Sequence, residues 1–336
     1  METRKVQITG RSTYVISLPK TWVNKVNIKN GDSIGMIPRS DGTLLINPKL
    51  TEQGEKIADQ LTKKINIDFQ NTNELLREFI GVYLAGNNII EMDYKKTISK
   101  DMRQKIRDIS QNVMGIEIID ESINSITVKD LLNVSDFSIV KGLKRMYIIT
   151  RAMHKDALKA LNSRDKELAE DVEARDNDVD KLYWLIGKQF NLILKDVFFA
   201  DKMGVKPQEA LSFLLTARAI ERIADHATRL AKNAKTISEK TPLDNKIFEI
   251  SNKTLEIFDG AINAIYRNEL KNAHEIVEKS KKTHDEIEKL RQEILGLKKI
   301  DIPTIVSLTY IVDSIDRTRG YAEDIAEIAV NHYFVK

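Results

Sequence analysis

The chain has 336 residues, with 53 Lys+Arg against 50 Asp+Glu and no cysteine. Such a length buries a full core without staples, and the missing thiol excludes disulfides, zinc fingers, thiolate nucleophiles and thiolate-bound iron–sulfur clusters. Charged residues make up 31% and aromatics 6%, which favours long solvated helices over a sandwich or barrel, and no apolar run approaches the roughly 18 residues of a membrane span.

At the N-terminus, METRKVQITG lacks the apolar stretch of a secretory signal, so a cytoplasmic chain without membrane insertion is expected. Residues 1–50 hold eight basic and three acidic side chains, half the prolines and four of the glycines. The remainder of the chain is net negative, so the positive surplus belongs to this head alone. VQIT and YVISL read as strands around a Gly10-Arg11-Ser12 turn, and KTWVNKVNI after Pro19 reads as a short helix. SIGMI and TLLINP follow as two more strands joined at Ser40-Asp41-Gly42. Four short strands and one small helix bury too little apolar surface alone, so the head is expected to pair as a homodimer.

Residues 51–134 mix both periods. INIDF, NNIIEMDY, IEIIDES and SITVKD read as strands, with helices over TNELLREFIGVYLAG and ISKDMRQKIRDISQNVMG that close on Gly86 and Gly115. This predicts a small α/β layer without a phosphate loop, since neither a Walker pattern nor GxGxxG occurs.

From Ser135 onward the period is helical throughout, and six helices are predicted near 137–163, 165–199, 207–238, 243–267, 269–297 and 303–334. Pro207, Pro242 and Pro303 fall at helix starts, and Thr241-Pro242-Leu243-Asp244 has the spacing of a capping box. The fold class is therefore multidomain and mainly α: head 1–50, α/β layer 51–134, and a body over 135–336. That body is internally repeated as two three-helix bundles, about 135–240 and 241–336. RDNDVDKLYWLI (175–186) aligns from Asp176 onward with HDEIEKLRQEI (284–294), and AIERIADHATRLAKNA (219–234) aligns with SIDRTRGYAEDIAEIA (314–329).

Two acidic pairs stand out. Asp176/Asp180 and Glu221/Asp225 are each four apart, so each pair lies along one helix face. Chance alone places roughly seven such pairs in a chain this acidic, most of them on ordinary charged faces. Position on consecutive helices, at matched points of the repeat and beside Ala224, Ala227 and Ala231, sets these apart. Four carboxylates together suit a divalent or trivalent hard cation such as iron, manganese, magnesium or calcium. In the second copy His284, Glu288 and Asp316 take three of the positions, but Gly320 replaces Asp225 and Arg319 replaces Ala224, so a weaker second site is expected. A ferritin-like di-iron centre needs Glu-x-x-His, and no histidine has an acid three residues before it. No nucleophile stands beside the acids, so a hydrolase is not expected.

Glu221-Arg222-Ile223-Ala224-Asp225-His226-Ala227, with the upstream Asp176-x-x-x-Asp180, resembles the PhoU family of phosphate-uptake regulators. Residues 3–48 resemble the AbrB/MazE swapped-hairpin DNA-binding family through Arg4-Lys5-Val6, Gly10-Arg11-Ser12, Val15-Ile16-Ser17-Leu18-Pro19 and Gly31-Asp32. Together the two resemblances imply an archaeal-type phosphate regulator: a non-enzymatic, DNA-binding dimer whose body senses metal or a phosphate-linked signal. They place DNA contacts at Arg4, Lys5 and Arg11, to which Lys25 on the small helix is added. The alternative they imply is an adaptor that acts on a phosphate-transporter ATPase or a kinase by protein contact, without DNA.

Overall fold

Strands in the head are only three or four residues long. In the computed structural model, which describes residues 2–38, 42–48, 61–68, 71–298 and 300–335, the chain divides into two units, Met1–Gln60 and Leu61–Lys336. In the first, β1 (Gln7–Thr9) and β2 (Thr13–Val15) form an antiparallel hairpin with Ile8 opposite Tyr14. Gly10 takes φ 68° in its turn, a conformation that favours glycine. Helix α1 (Lys20–Val26) ends on a left-handed Asn27, and β3 (Gly35–Pro38) pairs with β4 (Leu44–Asn47). YVISL stops being a strand at Val15 because β1 offers only three residues to pair with. Ser40 and Asp41 of the expected turn, and the boundary expected at residue 50, lie outside the described residues. None of the described residues of this unit is buried.

The second unit opens with a four-stranded sheet ordered β5-β6-β8-β7, built from β5 (Thr62–Asn66), β6 (Ile89–Asp93), β7 (Ile116–Glu121) and β8 (Ser125–Asp130). β5 runs parallel to β6 through the crossover helix α2 (Thr72–Leu84), while β8 is antiparallel to both neighbours. The first strand begins three residues before the expected INIDF, because Thr62 to Asn66 pair in register with Ile89 to Asp93. Alternation puts Ile65, Ile90, Met92, Ile126 and Val128 on the buried side with Leu75, Phe79 and Tyr83 of α2 and Ile106 of α3 (Lys100–Gln111). Asn71 and Glu74 form a reciprocal capping box on α2, and Gly86 at φ 86° turns the chain out of it.

Helices α4 (Ile139–Ser163), α5 (Lys166–Lys195) and α7 (Pro207–Ala234) pack as one three-helix bundle. A second is formed by α8 (Asp244–Arg267), α9 (Leu270–Leu295) and α10 (Ile302–Val335). The helix expected over 165–199 is broken. Asp196 is extended, and its carboxylate accepts from the Phe198 amide, which starts the short α6 (Val197–Met203). Leu243, not a polar side chain, precedes α8. Thr241 donates to Asp244 at 2.6 Å instead of capping the helix. The two bundles meet where α7 packs on α10 and α4 on α8. There Arg151 grips both oxygens of Asp259 at 2.7 and 2.9 Å, and the buried His154 shares a 2.7 Å hydrogen bond with Ser251. Desolvation, with a further contribution from His226, pushes the His154 imidazole down to about 4, so it is neutral at pH 7.

A buried ion pair joins the α/β layer to α5. Asp130 ends β8 on the core side of the sheet, and Lys188, 1% exposed, donates to it while lying 4.5 Å from the centre of the Tyr83 ring. The Leu132 amide donates to the other Asp130 oxygen, so the carboxylate is satisfied on both sides. Lys188→Met strands a buried carboxylate and should destabilise the chain by about 3–5 kcal/mol. In urea unfolding, Asp130→Asn added to that variant should recover part of the loss.

Candidate metal centre and nucleic-acid interface

Asp176 and Asp180 lie on α5, and Glu221 and Asp225 on α7, the helix packed directly against it. Each of the four is half-buried, because Val172, Val179, Ile223 and Ala224 beside them are core residues. Desolvation, followed by repulsion from Asp176, Glu221 and Asp225, raises the Asp180 carboxyl to about 7. Burial and then Asp225 raise Asp176 to about 6. Burial also raises Glu221, with Asp225 adding to it and Arg218 and Arg222 opposing. Arg222 reaches Asp225 at 3.3 Å, while the nearest guanidinium groups stand 3.7 and 3.8 Å from Glu221. Glu221 Oε2 is buried without a hydrogen-bond partner. An all-oxygen donor set with an orphaned buried oxygen and carboxyl groups reluctant to ionise fits a hard cation.

The second copy differs in its neutralisation. Among the described residues, one trio of potential ligands has all its donor atoms within 4.8 Å: His284, Glu288 and Asp316. The first copy's carboxylates do not come that close. Distance therefore favours the second copy, but charge favours the first. Asp316 already accepts from Arg319 at 2.8 Å, Arg291 at 2.9 Å and His284 at 3.1 Å, and Arg291 also reaches Glu288 at 3.2 Å. Burial alone would raise the Asp316 carboxyl, yet Arg319 and then His284 hold it below its ordinary range. Arg291 was not singled out in the sequence, although its i,i+3 spacing from Glu288 was a readable signal.

His226 is not drawn into the acidic cluster. Its ring lies 5.9 Å from that of Tyr321, the residue at the matching position of the second copy. Trp184 packs on the core of the α/β layer and Tyr183 on that of the bundles, where Arg218 lies 5.7 Å from the Tyr183 ring.

In the head, Arg4, Lys5, Arg11 and Lys25 are all exposed. Arg11 sits in the turn between β1 and β2, Lys25 in the last turn of α1, and Arg4 pairs with Glu2. Beside them Val6, Ile8, Tyr14 and Met36 are more than 60% exposed. One chain thus presents cations and an uncovered apolar surface within the same small unit.

The raised Asp180 carboxyl has a pH signature. Its folded value lies above the ordinary 3.8, so between about pH 4 and 7 the folded chain holds a proton the unfolded chain has shed. With chelator present, stability should fall as pH rises through that window, and Asp180→Asn should flatten the fall in thermal melts.

Residues 143–234 match the PhoU domain, and residues 7–53 match the antidote-toxin recognition domain of MazE, a bacterial antitoxin. Over 184 residues the chain is 27% identical to a phosphate-specific transport system accessory protein PhoU homolog of Clostridium acetobutylicum, covering 55% of this chain and 78% of that protein. In fold it is similar to the phosphate transport system regulatory protein PhoU of Streptococcus pneumoniae, with TM-score 0.52 and 21% identity over 59% of this chain and 94% of that one. PhoU of Pseudomonas aeruginosa gives 0.53 and 18% over 59% and 96%. The chain therefore carries a MazE-type domain and a PhoU domain, separated in sequence by an α/β layer that neither match covers.

Proposed function

We propose that this protein is a cytoplasmic, homodimeric regulator of phosphate uptake whose head binds DNA and whose body responds to a bound metal ion or a phosphate-linked signal. The observation that carries the reading is the union, in one chain, of a PhoU domain with a basic MazE-type head that buries none of its described residues. The relative and the solved structures named PhoU support the phosphate half. The head supports the DNA half. Two copies would cover each other's Ile8, Tyr14 and Met36, and their pooled charge of roughly +10 would attract a phosphate backbone. The half-buried carboxylates of the first bundle support metal sensing by iron, manganese, magnesium or calcium. A transporter ATPase component is the protein partner that belongs with this reading. No helix of the described residues is long and apolar enough to cross a membrane.

Arg4→Ala with Arg11→Ala should weaken binding to duplex DNA and lower its salt dependence. Each lost phosphate contact removes roughly 0.9 from the slope of log affinity against log salt, and a dimer loses each contact twice. Fluorescence anisotropy across a salt series reads both. An unchanged affinity and slope in a folded variant would return the head to dimerisation alone and favour the adaptor.

Glu221→Gln with Asp225→Asn should abolish metal retention while preserving helicity, since it relieves repulsion in the first bundle. Asp316→Asn should leave the metal content nearly unchanged. Equal content in wild type and the Glu221/Asp225 variant, measured by elemental analysis, would return both acidic pairs to an ordinary charged face.

A further inference from the structure

Arg319 occupies the position of Ala224, and in the second bundle its side chain is only 12% exposed. Its Nε donates to Asp316 at 2.8 Å, and its Nη1 donates to Ser280 and to Glu323, each at 2.7 Å. Ser280 in turn donates to Glu323 at 2.7 Å, which closes the network between α9 and α10. Two of these partners are themselves departures from the first bundle. At the same repeat offsets, Ser280 replaces the buried Val172, and Glu323 replaces Thr228. The second bundle has thus gained a cation together with two new acceptors for it, and at Gly320 it has lost a carboxylate.

We propose that Arg319 is the resident cation of the second bundle: its guanidinium does between α9 and α10 what a metal ion would do between α5 and α7, and by occupying Asp316 it closes the trio of His284, Glu288 and Asp316 to metal. The comparison with α5 and α7 rests on the metal reading above. The closure itself does not. A guanidinium keeps its charge at any physiological pH and cannot dissociate, so the second bundle is held without regard to ion supply. It also presents a planar fork of donors, which matches the two acids and one hydroxyl it meets here.

The first bundle's pattern can be restored without steric cost. A Cβ built at Gly320 meets nothing within 4 Å, and a depression lined by Asp316, Arg319, Glu323 and Asp324 opens beside it. R319A/G320D therefore recreates Ala224-Asp225 next to a trio whose donor atoms already lie within 4.8 Å.

The test uses the full chain with E221Q/D225N, so that the first bundle contributes nothing, and Mn2+ as the probe in calorimetry. That parent should bind no Mn2+ in the second bundle, and adding R319A/G320D should raise binding from none to one equivalent per chain. Mn2+ bound at His284, Glu288 and Asp316 in the parent, or a folded R319A/G320D that gains none, overturns the proposal. If R319A/G320D does not fold, single substitutions decide. R319Q should acquire a melting temperature that rises with Mn2+, whereas R319K, still cationic, should not. The same response in both, or in neither, overturns the proposal. Failure of the first-bundle reading shows separately, as wild type retaining no more metal than the E221Q/D225N parent.

Discussion

Helix α7 packs against α4, α5 and α10 at once, and the rest of the body is arranged around that contact. One helix can serve three close neighbours only where its side chains are small. Ala217, Ala224, Ala227 and Ala231 are fully buried on it, and Ala322 and Ala326 are fully buried on α10. Interaxial separation follows the size of the residues at the contact, so alanine draws α5 inward as well. The electrostatic problem of the first bundle is a consequence of this packing. Carboxylates that would sit apart in water are brought to adjoining edges of α5 and α7, where they lose solvent and each raises the cost of ionising the next.

Much of this was readable in the residues. The six long helices were set by 3.6-residue periodicity bounded by Pro207, Pro242 and Pro303, and the repeat located both sets of acids. The α6 break was not, because the apolar pattern runs straight through Asp196. Only the extended backbone there shows that the side chain caps a new helix. The network around Arg319 and Asp316 was also hidden, since Ser280, Arg291 and Glu323 look like ordinary surface residues until α9 and α10 are brought together. Lys188 was hidden for the opposite reason. It lies in the apolar run YWLIGKQF, and its need for a carboxylate is met by Asp130, 58 residues away.

Buried charge is handled in three ways within one polypeptide. Lys188 and Asp130 satisfy each other, with an aromatic face and a backbone amide completing the pair. Asp316 is surrounded by fixed cations. Glu221 of α7 has neither arrangement: the guanidinium groups nearest to it are too distant to donate a hydrogen bond. Neutralisation is thus least complete at Glu221, whereas Asp130 and Asp316 are met by cationic side chains that cannot leave.

The head's missing core bears on the life of the protein in the cell. The chain displays Ile8, Tyr14 and Met36 on strands three or four residues long, with Val6 just before the first of them. Uncovered apolar strands of this kind are what chaperones bind and proteases cut. Two heads that cover each other, as proposed above, would take this surface out of reach, and the steady-state amount of the protein would then follow how fast newly made chains pair.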